Sequence, residues 1–211
     1  MVKHILPFLF TTIIIAQEKY PADSLIKLNT TCFAKKISLL PIAAWQRISY
    51  NSDLFNCQFY PSCSNYGAGS IKQYGFIKGS ILASERITRC NPFAIYYHLE
   101  LDRPFYELDG RLIDPINQNK IPNSKKSPLL ATSLSIIPGA GRIYSGRVMD
   151  GIMGMWTFYL HTRIAYLAVK NKKTFMSPIF ITIAGITYLG EIYGAWRSSL
   201  YYQKKEDPNN N

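Results

Sequence analysis

The sequence predicts a mainly α-helical protein in which a small cysteine-containing helical domain is followed by a transmembrane helical hairpin. Three observations predict it. Apolar residues recur at helical spacing from Lys36 to Ser49 and again in two segments after Cys63. Three of the four cysteines, Cys57, Cys63 and Cys90, fall among those segments. Two runs near the C-terminus, Gly151 to Val169 and Phe175 to Trp196, each have about the length of a bilayer-crossing helix and are separated only by a Lys170-Asn-Lys-Lys turn. At 211 residues the chain holds one ordinary domain plus membrane segments, or two small domains, and excludes a large multidomain enzyme.

The charge balance narrows the partners. Lys and Arg total 24 against 13 Asp and Glu, a net charge of +11, which favours anionic lipid headgroups or nucleic acid. The densest clusters, Lys35-Lys36, Lys125-Lys126 and Lys170 to Lys173, each stand beside an apolar stretch, so a bilayer with anionic headgroups is expected and nucleic acid is not. The aromatic residues are mostly Tyr, which suits either the headgroup boundary or a core.

Taken in chain order, residues 1–16 read as a signal peptide or retained anchor: Lys3 and His4 precede the apolar run Ile5 to Ala16, with cleavage expected after Ala16. Residues 17–36, with Pro21, Asn29 and the isolated Cys32, read as a linker or short helix. The domain proper covers 37–116. Its first helix, Lys36 to Ser49, is amphipathic. Either it lies in the membrane interface, with Trp45 at headgroup depth and Lys35, Lys36 and Arg47 facing phosphates, or its apolar stripe packs on the domain that follows. Ser62 or Ser64 caps a helix through Tyr66, Ile71 and Tyr74 that Gly75 ends; a second runs from Ile77 to Thr88, and Cys90-Asn91-Pro92 stops it. Residues 94–126 show no period beyond a short hairpin around Asp109-Gly110. Residues 117–127 read as a linker, 128–205 as a membrane region with spans at about 151–169 and 175–196, and 206–211 as a disordered tail.

The run Cys57, Phe59, Pro61, Ser62, Cys63, Ser64 and Tyr66, then Gly75 and Gly79, then Arg86, Arg89, Cys90, Asn91, Pro92 and Phe93 resembles the YidD family pattern in type, order and spacing. Trp45-Gln46-Arg47-Ile48-Ser49 extends the resemblance upstream, so that it covers roughly residues 40–93. It implies a small membrane-associated factor, without catalytic activity or cofactor, that helps insert inner-membrane proteins alongside an insertase or translocon and nascent chains. The chain departs from that pattern after the third cysteine, where a longer insert returns to Leu112-Ile113-Asp114-Pro115. It departs also in carrying an export signal, since ordinary family members face the cytoplasm. Farther on, Pro138-Gly139-x-Gly141-x-x-Tyr144-x-Gly146-Arg147-x-x-x-Gly151 and the paired runs resemble a TM2-type membrane hairpin. There Tyr144 anchors at headgroup depth and Arg142 and Arg147 meet phosphates.

Three uses of the cysteines stay open. An oxidising compartment favours two disulfides; Cys57, Cys63, Cys90 and His98 have ligand types suited to zinc, although close cysteine pairs are lacking; and buried inert thiols are the third. A nucleophilic cysteine lacks an evident base, so no enzyme is expected. Inside the runs, Arg163 and Glu191 either pair across the hairpin or reach the interface from near its ends, and the second reading is favoured. Export at the N-terminus puts the cysteine domain in the periplasm and Lys170, Lys172 and Lys173 in a cytoplasmic turn of the bacterial inner membrane. The competing function is a membrane-perturbing or envelope-structural module that acts on lipid without a client.

Overall fold

The computed structural model describes residues 20–52, 56–118 and 126–202. The expected N-terminal signal and the C-terminal tail lie outside the described residues, as does most of the 117–127 linker. The chain is mainly helical, as expected. Its described elements are α1 (Pro21–Lys27), α2 (Phe33–Ser49), β1 (Phe59–Tyr60), α3 (Cys63–Tyr74), α4 (Phe76–Arg89), α5 (Ala94–Glu100), β2 (Leu112–Ile113), α6 (Pro128–Leu134), α7 (Ala140–Tyr144), α8 (Val148–Lys170) and α9 (Met176–Tyr201).

A helix, α1, occupies part of the expected 17–36 linker. Pro21 at its first position fixes a helical φ, and its Ala22 is fully buried with its N–H donated to Gln46 Oε1 at 2.9 Å. Gln46 is itself fully buried in α2 and donates from Nε2 to Asn65 Oδ1 at 2.9 Å, so one amide side chain ties α1, α2 and α3 together. Around that tie Ala22, Leu39, Ala43, Ala68 and Ile71 form the first apolar core.

Helix α2 answers the two readings of its stripe with two apolar faces. Leu39 and Ala43 point inward, whereas Phe33, Ile37, Leu40 and Ile48, within an arc of about 80° on the helical wheel, are all more than half exposed. Ser62 rather than Ser64 caps α3, accepting from Asn65 N–H at 3.3 Å. Gly75, with φ +84°, turns the chain from α3 into α4, a conformation that disfavours other residues. The two helices then pack so closely that Gly79 rests on the α3 backbone at Ser70 and Ile71.

Residues 94–118 are more ordered than their sequence period predicts. Helix α5 forms there, anchored where Tyr97 OH accepts from Met149 N–H at 3.0 Å. The expected turn at Asp109-Gly110 is present: Gly110 has φ +70° and Tyr106 N–H donates to Arg111 O at 2.8 Å. Its return limb becomes β2, which pairs in parallel with β1 through Phe59 opposite Leu112 and Tyr60 opposite Ile113. Phe59, Leu112 and Ala94 make a second apolar core beside Cys57, Cys63 and Cys90.

Helices α8 and α9 form a helical hairpin where one is expected. Among the described residues, α9 alone is long and apolar enough to cross a membrane; α8 is long enough but carries Asp150, His161, Arg163 and Lys170. The hairpin is not set apart from the cysteine domain. The C-terminal half of α9 packs along α4, with Gly190 leaving room for Ser84 and Glu85, while a Cβ at Gly194 would strike the Arg142 guanidinium.

Candidate functional site

Two features share helix α4: a groove floored by thiols, walled also by α2, and a buried network of charge. The groove, about 610 Å³, runs between α2 and α4, with Ile42, Trp45, Ala83 and Ile87 among its walls and Cys57, Cys63 and Cys90 lining it. A second apolar hollow of about 300 Å³ shares Pro41, Ile42, Ala83 and Ile87 with it and reaches His161, Ile183 and Thr187 of the hairpin. Together they form one apolar trough from the thiols to the hairpin.

The three thiols come from three elements: Cys57 from the loop before β1, Cys63 from the first turn of α3, and Cys90 from the end of α4. Their sulfurs all lie within 4.8 Å of one another, with Cys57 and Cys63 at 3.5 Å. Cys63 N–H donates to Cys57 Sγ at 3.3 Å, and Gln58 Nε2 reaches Cys90 Sγ at 3.6 Å and Asn91 O at 2.9 Å. Hydrogen bonding with Cys63 and then Cys90 lowers the Cys57 thiol well below its ordinary value, and the bond with Cys57 in turn pushes up Cys63 and Cys90. The four cysteines are free thiols, and Cys32 is exposed at the N-cap of α2 rather than beside the trio. His98, a candidate ligand by type, does not join it. Its Nε2 is engaged with Pro104 O at 2.8 Å, its ring meets Phe105 edge-on, and burial lowers its pKa.

In the network, five guanidinia, Arg86, Arg89, Arg142, Arg147 and Arg197, face four carboxylates, Glu85, Asp114, Asp150 and Glu191, all of them buried. Glu85 receives Arg89 Nε at 2.5 Å and Arg197 NH1 at 3.0 Å, with Arg142 NH1 at 3.7 Å. Asp114 receives Arg89 NH2 at 2.8 Å, Arg86 Nε at 3.2 Å and Tyr202 OH at 3.1 Å. Arg86 lies over the rings of Phe59 and Tyr66 and donates to Pro61 O at 2.8 Å. Tyr66 OH in turn accepts from Arg197 NH1 at 2.8 Å. Asn91 joins the cysteine domain to the hairpin by donating to Asp150 Oδ1 at 2.7 Å. Most of the family-pattern residues therefore fall into three groups. Ser62, Gly75 and Gly79 shape the α3–α4 hairpin, the cysteines line the groove, and Phe59, Tyr66, Arg86, Arg89 and Asn91 hold the network. Pro92 and Phe93 carry the chain from α4 into α5, where Phe93 N–H donates to Asn91 Oδ1 at 3.0 Å.

Several expectations for the arginines are corrected by these contacts. Arg147 and Arg142 do not meet phosphates. Arg147 is buried against Asp150 at 2.6 Å and over the Tyr97 ring, and Arg142 is fully buried against Glu191 at 3.1 Å. Glu191 reaches neither the interface nor Arg163; it is 1% exposed, and Arg163 instead lies over Tyr166. The physical reason is common to all three. A charge in a low-dielectric interior needs a partner, and the fold supplies one within the protein, Asp150 three residues on for Arg147 and Glu191 of α9 for Arg142. Tyr144 is half-buried, its hydroxyl accepting from Ser127 N–H at 3.3 Å, so it braces α6. Of the expected interface residues, Trp45 remains about half exposed, and Arg47 is exposed but paired with Asp23 at 2.8 Å. Ser64 lies near Gln46 Nε2 at 3.3 Å, on the groove wall.

The network sets an acid limit. Burial raises the Glu85 carboxyl, but Arg89, Arg197 and Arg142 outweigh it and hold the group at about 2, against an ordinary 4.5. Asp114 behaves alike: burial raises it, and Arg89, Arg197 and Arg86 hold it well below the usual carboxylate range. A depressed carboxyl contributes stability that is complete above its unfolded pKa and is lost as pH falls toward the folded one. The contribution of Glu85 to the stability of the detergent-solubilised protein is therefore expected to stay complete from neutrality down to about pH 4.5. The protein should then lose on the order of 3 kcal/mol through Glu85 alone by about pH 2. A midpoint unchanged from pH 7 to pH 2 would contradict this.

Comparison with known proteins finds relatives of the segment that carries the cysteines. Residues 34–97 match the family described as "YidD: Putative membrane protein insertion efficiency factor". Proteins named "Putative membrane protein insertion efficiency factor" include one from Oleidesulfovibrio alaskensis, 48% identical over 60 residues, which are 28% of this chain and 67% of that protein. Another, from Thermoanaerobacter pseudethanolicus, is 41% identical over 59 residues, 28% of this chain and 86% of its own length. A third, from Bacillus licheniformis, "Putative membrane protein insertion efficiency factor 1", is 43% identical over 60 residues, 28% of this chain and 72% of its own length. No solved structure matches. The matched segment contains the thiol trio, Glu85, Arg86 and Arg89, while Asp114 and the hairpin residues of the network lie beyond it. With this identity extending over most of the relatives' own length, the chain belongs to the YidD family.

Proposed function

We propose that the protein is a non-enzymatic factor of the bacterial inner membrane that assists insertion or assembly of other membrane proteins, holding an apolar segment of its client in the trough between α2 and α4. One observation carries this reading: the exposed apolar stripe of α2 adjoins the trough, and the trough continues onto the hairpin. A stripe of Phe33, Ile37, Leu40 and Ile48 is costly in water and favourable in lipid, at about 25 cal/mol per Å² of apolar surface covered. With that face in the bilayer, the trough opens beside lipid, where a client helix leaving an insertase or translocon would pass.

The hairpin is then a TM2-like membrane anchor for the cysteine domain, and Lys170, Lys172 and Lys173 at its tip meet anionic headgroups on the cytoplasmic side. The cysteine domain sits at the periplasmic face. The relatives' name supports an insertion-related role. The domain limits at 37–116 and 128–205 mark a functional division, recognition by the first part and anchoring by the second, within a shared charged interior.

A photo-crosslinking residue in place of Ile87, which lines the trough and is 57% exposed, tests the assignment in intact cells. Adducts with nascent inner-membrane proteins or their insertase are expected, whereas the same probe at Leu108, outside the trough lining, should give none. Adducts with lipid alone would contradict the client reading and favour a module that acts on the bilayer.

A further inference from the structure

We propose that Cys57, Cys63 and Cys90 form a three-thiolate binding site for one soft d10 cation, zinc(II) or copper(I). The three sulfurs converge from three separately anchored elements to within 4.8 Å of one another. Sulfurs on a single zinc ion at about 2.3 Å stand about 3.8 Å apart in a tetrahedron. The 3.5 Å between Cys57 and Cys63 is close to that value and the separations from Cys90 are at most 4.8 Å, so one ion fits once the sulfur separations adjust by about 1 Å or less. Thiolate sulfur selects soft cations over magnesium or calcium.

The surroundings are those a metal thiolate uses. Cys63 N–H donates to Cys57 Sγ, and Gln58 Nε2 approaches Cys90 Sγ while fixed by Asn91 O, so a backbone N–H and an amide side chain orient two of the three sulfurs. The fourth side faces the groove, where Ser62 and Ser64 also line the wall. That side leaves an entry path and an open position for water or a further ligand. An odd number of thiols argues in the same direction: a disulfide between any two strands the third, whereas one cation engages all three. His98, held by Pro104 O, is no part of the set.

The test uses the full chain in detergent under anaerobic, reducing conditions, loaded in parallel with zinc(II) and with copper(I), freed of excess ion and analysed for metal. About one equivalent per chain should be retained by the wild type and by Cys32→Ser, and at least tenfold less by Cys57→Ser, Cys63→Ser and Cys90→Ser variants that keep their helical circular dichroism. Preference for one ion over the other names the metal; retention of either supports the site. Should the variants misfold, the wild type still decides, because bound ion must slow alkylation of three thiols but not of Cys32, and cobalt(II) substitution must give a sulfur-to-metal charge-transfer band. Negligible retention of both ions would overturn the proposal. So would retention unchanged in folded serine variants, alkylation indifferent to metal, or a Cys57–Cys63 disulfide persisting in reductant.

Discussion

Replacing Glu85 by Gln is expected to destabilise the protein by about 3–5 kcal/mol, the range for removing one partner of a buried ion pair. Glutamine keeps the shape and removes the charge. Arg89 and Arg197 are then left in an interior where each is 2% exposed, with Arg142 close by. The penalty comes less from the lost attraction than from buried guanidinia left with fewer carboxylates, Arg89 with Asp114, Arg142 with Glu191 and Arg197 with the Tyr66 hydroxyl, which is why it should far exceed that of a surface pair. Asp109→Asn, which breaks an exposed pair with Arg111, is the comparison and should cost less than about 1 kcal/mol. Chemical unfolding of both variants in the same detergent distinguishes them, and equal losses would contradict the network.

The second large effect is expected at Gly79. A Cβ there would meet the Ile71 Cα and N at 2.6 Å and the Ser70 carbonyl carbon at 2.8 Å. These are backbone atoms of α3 and cannot rotate aside, so Gly79→Ala must push α4 off α3, at a cost of about 1–3 kcal/mol or more. The displacement would also separate Cys90, at the end of α4, from Cys63, at the start of α3. Gly185→Ala, where nothing lies within 4 Å of the new methyl, should be neutral or stabilising by up to about 1 kcal/mol. Unfolding midpoints for the two alanine variants check the contrast. A Gly79→Ala protein as stable as the wild type would contradict the close approach of α4 to the α3 backbone.

Much of the α3–α4 hairpin is legible in the sequence because its signals are local: a serine cap, a glycine reversal, apolar residues at helical spacing, and a Cys-Asn-Pro stop. The insert is legible at its far end, since Leu112-Ile113-Asp114-Pro115 is where the departure from the family pattern returns. Asp114 there meets Arg86 and Arg89. What local patterns do not give is the destination of the arginines. Arg142 finds Glu191 and Arg197 finds Glu85 across spacings of 49 and 112 residues, whereas lipid contact alone would send Arg142 to phosphates. Two pairs do leave a sequence trace, Glu85 with Arg89 four residues on and Arg147 with Asp150 three residues on. Helix α5 is short and depends on tertiary contacts such as Tyr97 with Met149, which no period reveals. The convergence of Cys57 with Cys63 and Cys90 likewise depends on the cysteine loop folding back over the hairpin, so their spacing alone leaves the use of the thiols open.

The proposed role requires α2 to present its exposed stripe to lipid, because only then does the trough open where a client could enter. In a variant with Trp156→Phe and Trp196→Phe, the fluorescence of Trp45 reports on that helix after reconstitution into vesicles containing anionic lipid. Strong quenching by lipids brominated on the acyl chain, and little by aqueous iodide, is the expected result. Quenching by iodide with no effect of the brominated lipids would place α2 in water and contradict the role.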